Sequence, residues 1–188
     1  MTSADIPTLE TERLRLRAFQ PDDAESYHAA VYSDADVTRY LPGGVPRPIE
    51  RTYQVIDAFR ESWQKNGIGG LAVVLKDTGQ LIGHCGLIPI GVSSIPYPEV
   101  EVFYAIGKAW WGQGYVTEAA RAVIEDGFGR AGLTRIVAVA VPENTASRRV
   151  MEKLGMIYVG LTDRYYNAEL AYYALGRDNW TFSGSTER

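Results

Sequence analysis

The chain of 188 residues has one cysteine, Cys85, two histidines, and only four lysines against fifteen arginines. A lone thiol excludes a disulfide framework and fits a reducing compartment. Two histidines and one cysteine at unrelated spacings make no zinc site, so no metal is expected. Gly-x-Ser-x-Gly is missing, and with only His28 and His84 a serine-histidine-aspartate hydrolase is poorly supported. His84, inside LIGHCGLI, reads as a strand histidine rather than a catalyst. No apolar run approaches the ~18 residues of a spanning helix. The longest, 136–141, is strand-sized. The opening MTSADIPTLETERLRLR has no apolar segment of the secretory type, so a cytoplasmic protein without a membrane partner is expected. A net charge of −4 gives no overall attraction for nucleic acid.

What is present alternates between strand and helix patterns, with no internal repeat. Residues 13–19 (RLRLRAF) alternate charged and apolar side chains, the period of a half-buried strand. Pro21 and Asp22 open a helix to about Tyr32. Residues 34–48 read as a loop, and 49–65 as a helix stopped by Asn66-Gly67. Strands over 71–76 and 80–88 flank Asp77-Thr78-Gly79 as a hairpin. A strand at 99–106 leads through a glycine-containing segment to a helix over 117–131. The apolar run 135–141 suits a strand covered on both faces. A short helix over 144–154 has Asn144 as cap and Gly155 beyond its end. Two strands, 156–165 and 168–175, close the chain around a turn near Asn167. These seven strands and the helices between them predict a mixed α/β sheet in one domain, 9–180, with loose termini at 1–8 and 181–188.

Three groups of residues could carry chemistry. Trp110-Trp111-Gly112-Gln113-Gly114-Tyr115-Val116-Thr117 lies between a strand and a helix, where glycines and unpaired first-turn amides suit a phosphate. It is neither the dinucleotide fingerprint, since Thr117 stands where the third glycine would be, nor a phosphate loop of the Gly-Lys-Ser/Thr kind. An ordinary tight turn explains the same glycines. Asn144 and Ser147 open the next helix, which a simple cap would also explain. Glu99 and Glu101 share one face of a strand and could act as general bases, or could be a solvated face. The rings of Trp110, Trp111, Tyr165, Tyr166, Tyr172 and Tyr173 are expected mostly to pack.

In this order and spacing, LETERLRLRAFQPDDA, EVEVFYAIGKAWWGQGYVTEA, PENTASRRVMEKLGMIYVG and AYYALGRDNW resemble the GCN5-related N-acetyltransferase (GNAT) superfamily, and within it the RimJ/RimL type. The resemblance implies a mixed, mostly antiparallel sheet of about seven strands flanked by helices. It implies acetyl-CoA as acyl donor and cosubstrate, with the backbone of Tyr104, Ala105 and Ile106 along the pantetheine arm. The amides of Gly112, Gln113, Gly114, Tyr115, Val116 and Thr117 would hold the pyrophosphate, and Asn144 the arm. The tyrosine acid common in the superfamily falls on Met151, which cannot donate a proton, leaving Ser147 as acid and Glu101 as base, with Glu99 the runner-up. The acceptor would be a small-molecule amine or a peptide or protein N-terminus, attacked directly without a covalent enzyme intermediate. A homodimer is possible on this reading. A non-catalytic acyl-CoA-binding regulator of the same fold, or a nucleotide binder, would share the glycine loop.

Overall fold

A computed structural model describes residues 6–91 and 99–180. The loose ends predicted at 1–5 and 181–188 lie outside the described residues. Ile6, also expected to be loose, instead packs half-buried against the main core.

Eight strands form one sheet in the order β1-β2-β3-β4-β5-β6-β8-β7. They are β1 (Leu9–Glu10), β2 (Leu14–Arg17), β3 (Gly70–Leu75), β4 (Leu81–Ile90), β5 (Glu99–Ile106), β6 (Arg135–Ala140), β7 (Ile157–Thr162) and β8 (Leu170–Gly176). The eighth strand, unforeseen, is the two-residue β1, which folds back on β2 and has no alternating pattern long enough to read. All neighbours run antiparallel except β5 and β6, whose parallel ladder is the single pair Glu101 opposite Val137. A parallel pair needs a crossover, and α4 (Tyr115–Gly129) supplies it.

Side chains alternate across each strand, so the sheet has two dissimilar faces. On one, Val102 and Ile106 of β5 join Leu71, Val73, Ile82 and Leu87 beneath Ala120, Val123, Ile124 and Phe128 of α4. Met151 and Leu154, from α5 (Thr145–Lys153) and its end, complete that core. On the other, Ala72, Val74 and Ala105 lie under α1 (Asp23–Tyr27) and α3 (Ile49–Asn66). Beside this second cluster is a third, Ile90, Val137, Tyr165, Leu170 and Tyr172, so helices cover only part of that face.

Two local predictions change. The helix foreseen to Tyr32 becomes a π-helical turn from His28 to Tyr32, with the Ser33 N–H reaching back to the His28 carbonyl. Within the foreseen loop 34–48, α2 (Ala35–Thr38) forms because the Asp34 carboxylate accepts from the amides of Asp36 and Val37. His84 is the strand histidine expected. It is buried against Phe59 and Phe103, receives or donates a 2.7 Å hydrogen bond with the Tyr27 hydroxyl, and burial lowers its pKa to about 3.

Strands β3 and β4 approach so closely that Gly86 has no room for a side chain. A Cβ there would sit 2.3 Å from the Gly69 carbonyl oxygen and 2.6 Å from the Gly70 Cα. Gly86→Ala is therefore expected to cost about 1–3 kcal/mol, the usual range for overpacking, as read by urea unfolding. A loss under about 0.5 kcal/mol, the scale of a neutral surface change, would show that the strands part at little cost.

Candidate active site

The site lies where the ladder between β5 and β6 ends. Gly107 N–H donates to the Ile82 carbonyl, so the main-chain groups of Gly107 and, two residues back, Ala105 point toward β4. Those of Tyr104 and Ile106 point the other way, into the gap beside β6. Of the three residues expected along the pantetheine arm, Ala105 thus turns its main chain to His84 of β4. One acceptor on the open side is already used, because the Trp111 indole donates to the Ile106 carbonyl at 2.9 Å.

Beyond the gap, the glycine segment turns the chain into α4. Gly112 and Gly114 have φ of 75° and 83°, left-handed values that a side chain would strain. Gly114 is the N-cap, so α4 begins at Tyr115, two residues before the predicted start. A glycine cap offers no side-chain oxygen to the first turn, and the amides of Tyr115, Val116 and Thr117 face outward from a helix dipole.

Arg13, which no local pattern singles out, is built against this loop. Its guanidinium donates to the Gln113 carbonyl at 3.0 Å and to Glu118 at 2.7 Å, and lies 4.4 Å from the centre of the Tyr115 ring. Thr11 and the Arg13 amide also donate to Glu118. Burial pushes the Glu118 carboxyl up, but these donors outweigh it and hold its pKa below the usual carboxylate value. The carboxylate nearest the helix start is thereby neutralised by the turn between β1 and β2.

Asn144 caps α5, its Oδ1 accepting from the Ser147 amide at 3.2 Å. The Ser147 hydroxyl lies 3.0 Å from the Tyr104 hydroxyl, which also donates to the Ser147 carbonyl at 3.2 Å. Tyr104 therefore contributes a phenol as well as backbone. Burial raises that phenol well above its ordinary pKa, so it stays protonated. Met151 is buried in the core below.

On the opposite face of β5, Glu99 and Glu101 have contrasting surroundings. Glu99 accepts from Tyr165, from Tyr172 at 2.7 Å, and pairs with Arg135 at 3.3 Å. Burial raises its pKa, but the two phenols and the charges of Arg135 and Arg164 lower it further, so Glu99 stays ionised. Glu101 is only 5% exposed. Burial pushes its carboxyl up to about 7, against the Tyr166 hydroxyl, 2.5 Å from Oε2, and the Val139 amide. Two carboxylates on one strand face are thus separated in acidity, the pattern that divides acid-base roles. Tyr165 and Tyr172 pack in the third cluster as expected and also aim hydroxyls at Glu99, whereas Tyr166, likewise expected to pack, is exposed and aims its hydroxyl at Glu101. The adjacent tyrosines beside the Asn167 turn were the available signal.

A family model described as an acetyltransferase (GNAT) domain matches residues 13–157. The chain belongs to the GNAT acetyltransferase family. It is 34% identical over 161 residues to the uncharacterized N-acetyltransferase YoaA of Bacillus subtilis, covering 85% of this chain and 88% of that protein. A GNAT-family acetyltransferase structure from Bacillus anthracis superposes with a TM-score of 0.74 at 30% identity, covering 92% and 99% of the two chains. The fold alone is shared with RimL, a ribosomal L7/L12 alpha-N-protein acetyltransferase in complex with coenzyme A, at a TM-score of 0.76 and 15% identity over 92% and 99%. The protein is an N-acetyltransferase, and its family uses acetyl-CoA. The residues present fit that donor: outward amides at α4, an unclosed β5 edge, and a cation beside the loop.

Because Arg13 steadies the loop and adds positive charge there, Arg13→Ala is expected to weaken coenzyme A binding about tenfold, or ~1.4 kcal/mol, in titration calorimetry. Unchanged affinity would confine Arg13 to its pairing with Glu118.

Proposed function

We propose that the chain transfers acetyl from acetyl-CoA directly to a primary amine, on a small molecule or a peptide N-terminus, with Glu101 as base and Ser147 as acid. The observation that carries this reading is the buried Glu101 carboxyl, held near neutrality at the pair where the β5–β6 ladder ends. A base is most useful when its pKa lies near the working pH.

Main-chain amides at Tyr115–Thr117, with Arg13 close by, hold the pyrophosphate, and the open edge at Tyr104 and Ile106 aligns the arm. Glu101 and Ser147 lie toward opposite faces of β5, so donor and acceptor approach from opposite sides and meet in the gap. The neutral amine attacks the thioester carbonyl while Glu101 accepts its proton. A main-chain N–H of β5 facing the gap stabilises the oxyanion. Ser147, with Tyr104 behind it, gives a proton to the departing thiolate.

The test is a turnover screen over amines and peptides, following free thiol. Coenzyme A binding without turnover on any amine would favour a non-catalytic regulator. With an accepted amine, Glu101→Gln is expected to lower kcat roughly 10²-fold or more at neutral pH and to remove an acid limb near pH 7, with coenzyme A binding retained. Ser147→Ala is expected to lower kcat about 10²-fold with little change in KM for acetyl-CoA. Native kcat in that variant would reduce Ser147 to a helix residue.

The same carboxyl has a cost in stability. Its pKa is 4.5 when unperturbed and about 7 when folded, so the native state holds this proton to higher pH than the unfolded chain does. Stability from this group is full below pH 4.5 and is lost as pH rises through about 7. Glu101→Gln should therefore be more stable than the native protein at pH 8, by on the order of 3 kcal/mol, and lose the advantage at pH 4.5. Chemical denaturation at both pH values reads this, and a pH-independent difference would mean that Glu101 is not strongly perturbed.

A further inference from the structure

Strands β7 and β8 are joined by a turn in which the Ala168 amide reaches the Tyr165 carbonyl at 3.4 Å. Its central residues, Tyr166 and Asn167, have φ of 56° and 53°, the only non-glycine residues with positive φ among the described residues. Two consecutive left-handed residues make the reversed hairpin turn that ordinarily takes Asn-Gly. Asn tolerates this conformation, but an aromatic residue is strained in it.

Packing does not account for the strain. Tyr165, its neighbour, is the buried anchor of the turn, at 3% exposure within the cluster of Ile90, Val137, Leu170 and Tyr172. Tyr166 is 53% exposed and belongs to none of the core clusters. Its one specific contact is through the hydroxyl, which donates to Oε2 of Glu101, sixty-five residues away. The ring thus spans from solvent to a carboxyl that is itself buried. A strained backbone that places one polar atom on a functional group is the kind of outlier from which a role is inferred.

We propose that Tyr166 carries the proton from the acceptor amine to Glu101. The amine nitrogen uses its lone pair to form the bond to the acyl carbon and loses an N–H proton to the Tyr166 phenolic oxygen. In the same step the phenol's own O–H breaks and its proton forms the O–H on Glu101 Oε2. Tyr166 is neutral before and after, and Glu101 passes from carboxylate to carboxylic acid. The phenol therefore never needs to ionise, which agrees with its pKa being raised by burial and by the Glu101 charge.

The groups facing Glu101 are consistent with this path. The Val139 amide of β6 donates to it, Glu99 lies two residues away on the same face of β5, and Tyr166 meets it from the turn. Glu99 is itself held by Tyr165, Tyr172 and Arg135. Of the side chains that hydrogen-bond Glu101, it is Tyr166 that reaches solvent.

This inference rests on Glu101 being the base, and the experiment separates the two. Native protein, Tyr166→Phe and Glu101→Gln are compared on an amine that the native protein acetylates, with coenzyme A calorimetry as a check on folding. Phe keeps the ring and the turn, so a purely structural tyrosine predicts no change. Tyr166→Phe is expected to bind coenzyme A normally, keep its KM for acetyl-CoA, lose roughly 10²-fold in kcat, and move the acid limb upward because a donor to the carboxylate is gone. A kcat within threefold of native, or above it, overturns the proposal and makes the phenol a cover over the base. If Tyr166→Phe is fully active while Glu101→Gln is not, only Tyr166 loses its role. If Glu101→Gln keeps the native rate, the base assignment falls and Tyr166 falls with it.

Discussion

The parallel contact between β5 and β6 is one residue pair long, and the working parts of the molecule are arranged around where it stops. Up to Glu101 and Val137 the two strands are held together. Past that pair, β5 keeps β4 on one side and has no strand partner on the other. The crossover that makes the pair parallel must leave β5, pass over the sheet and return, and it does so through α4. Its start is the glycine turn with unspent amides, so the same topological requirement opens the gap and puts a helix end with unpaired amides beside it. After β6 the chain enters α5, which brings Ser147 against Tyr104 on the unpaired stretch of β5. Had the ladder continued, these groups would have been filled by strand hydrogen bonds.

That termination also sets the electrostatics of the two glutamates. Glu99 and Glu101 are two residues apart on one face, which by sequence makes them equivalent. Glu99, at the start of β5, meets two phenols and a guanidinium and is stabilised as an anion. Glu101, opposite Val137, meets one phenol and one backbone amide, too few donors to offset its burial. The folded protein therefore holds a carboxyl whose neutral and ionised forms are balanced near pH 7. Such a group lowers stability when ionised, a penalty of the kind found where a site needs reactivity more than a settled charge. The arginines and tyrosines around Glu99 confine that penalty to one residue.

Much of this architecture was readable from local pattern. The strand 99–106 has the observed bounds, because alternation and flanking breaks both mark it. The helix from Ile49 and the cap at Asn144 follow from punctuation by Pro48, Gly67 and Gly155, which acts over a few residues. What could not be read depends on pairings far apart in the chain. Arg13 and Glu118 are 105 residues apart, and nothing near either residue announces the other. Strand β1 is too short to show a period. Tyr166 is the clearest case, since its left-handed backbone runs against its own propensity. A sequence reading that trusts propensity looks elsewhere for the turn's first central residue. Such conflicts between local preference and fold are expected at functional positions.

The phenols are distributed about one strand, β5. On the family resemblance, position 151 in α5 would hold a tyrosine as acid, and here Met151 is buried and fills the core under the helix. A long apolar side chain at that position packs α5 down without bringing a polar group that needs a partner. The phenol beside α5 is instead Tyr104, carried by β5, and it reaches the helix from below to meet the Ser147 hydroxyl and carbonyl. A second phenol, Tyr166, stands on the other face against Glu101. The two hydroxyls thus stand on opposite faces of β5, one extending from residue 104 to α5 and the other resting on residue 101. Mounting these hydroxyls around a central strand paired with β4 at eight positions, rather than along a nine-residue helix, fixes their spacing by the sheet itself. With Met151 committed to the core, the sheet rather than α5 carries the phenols on both faces of β5.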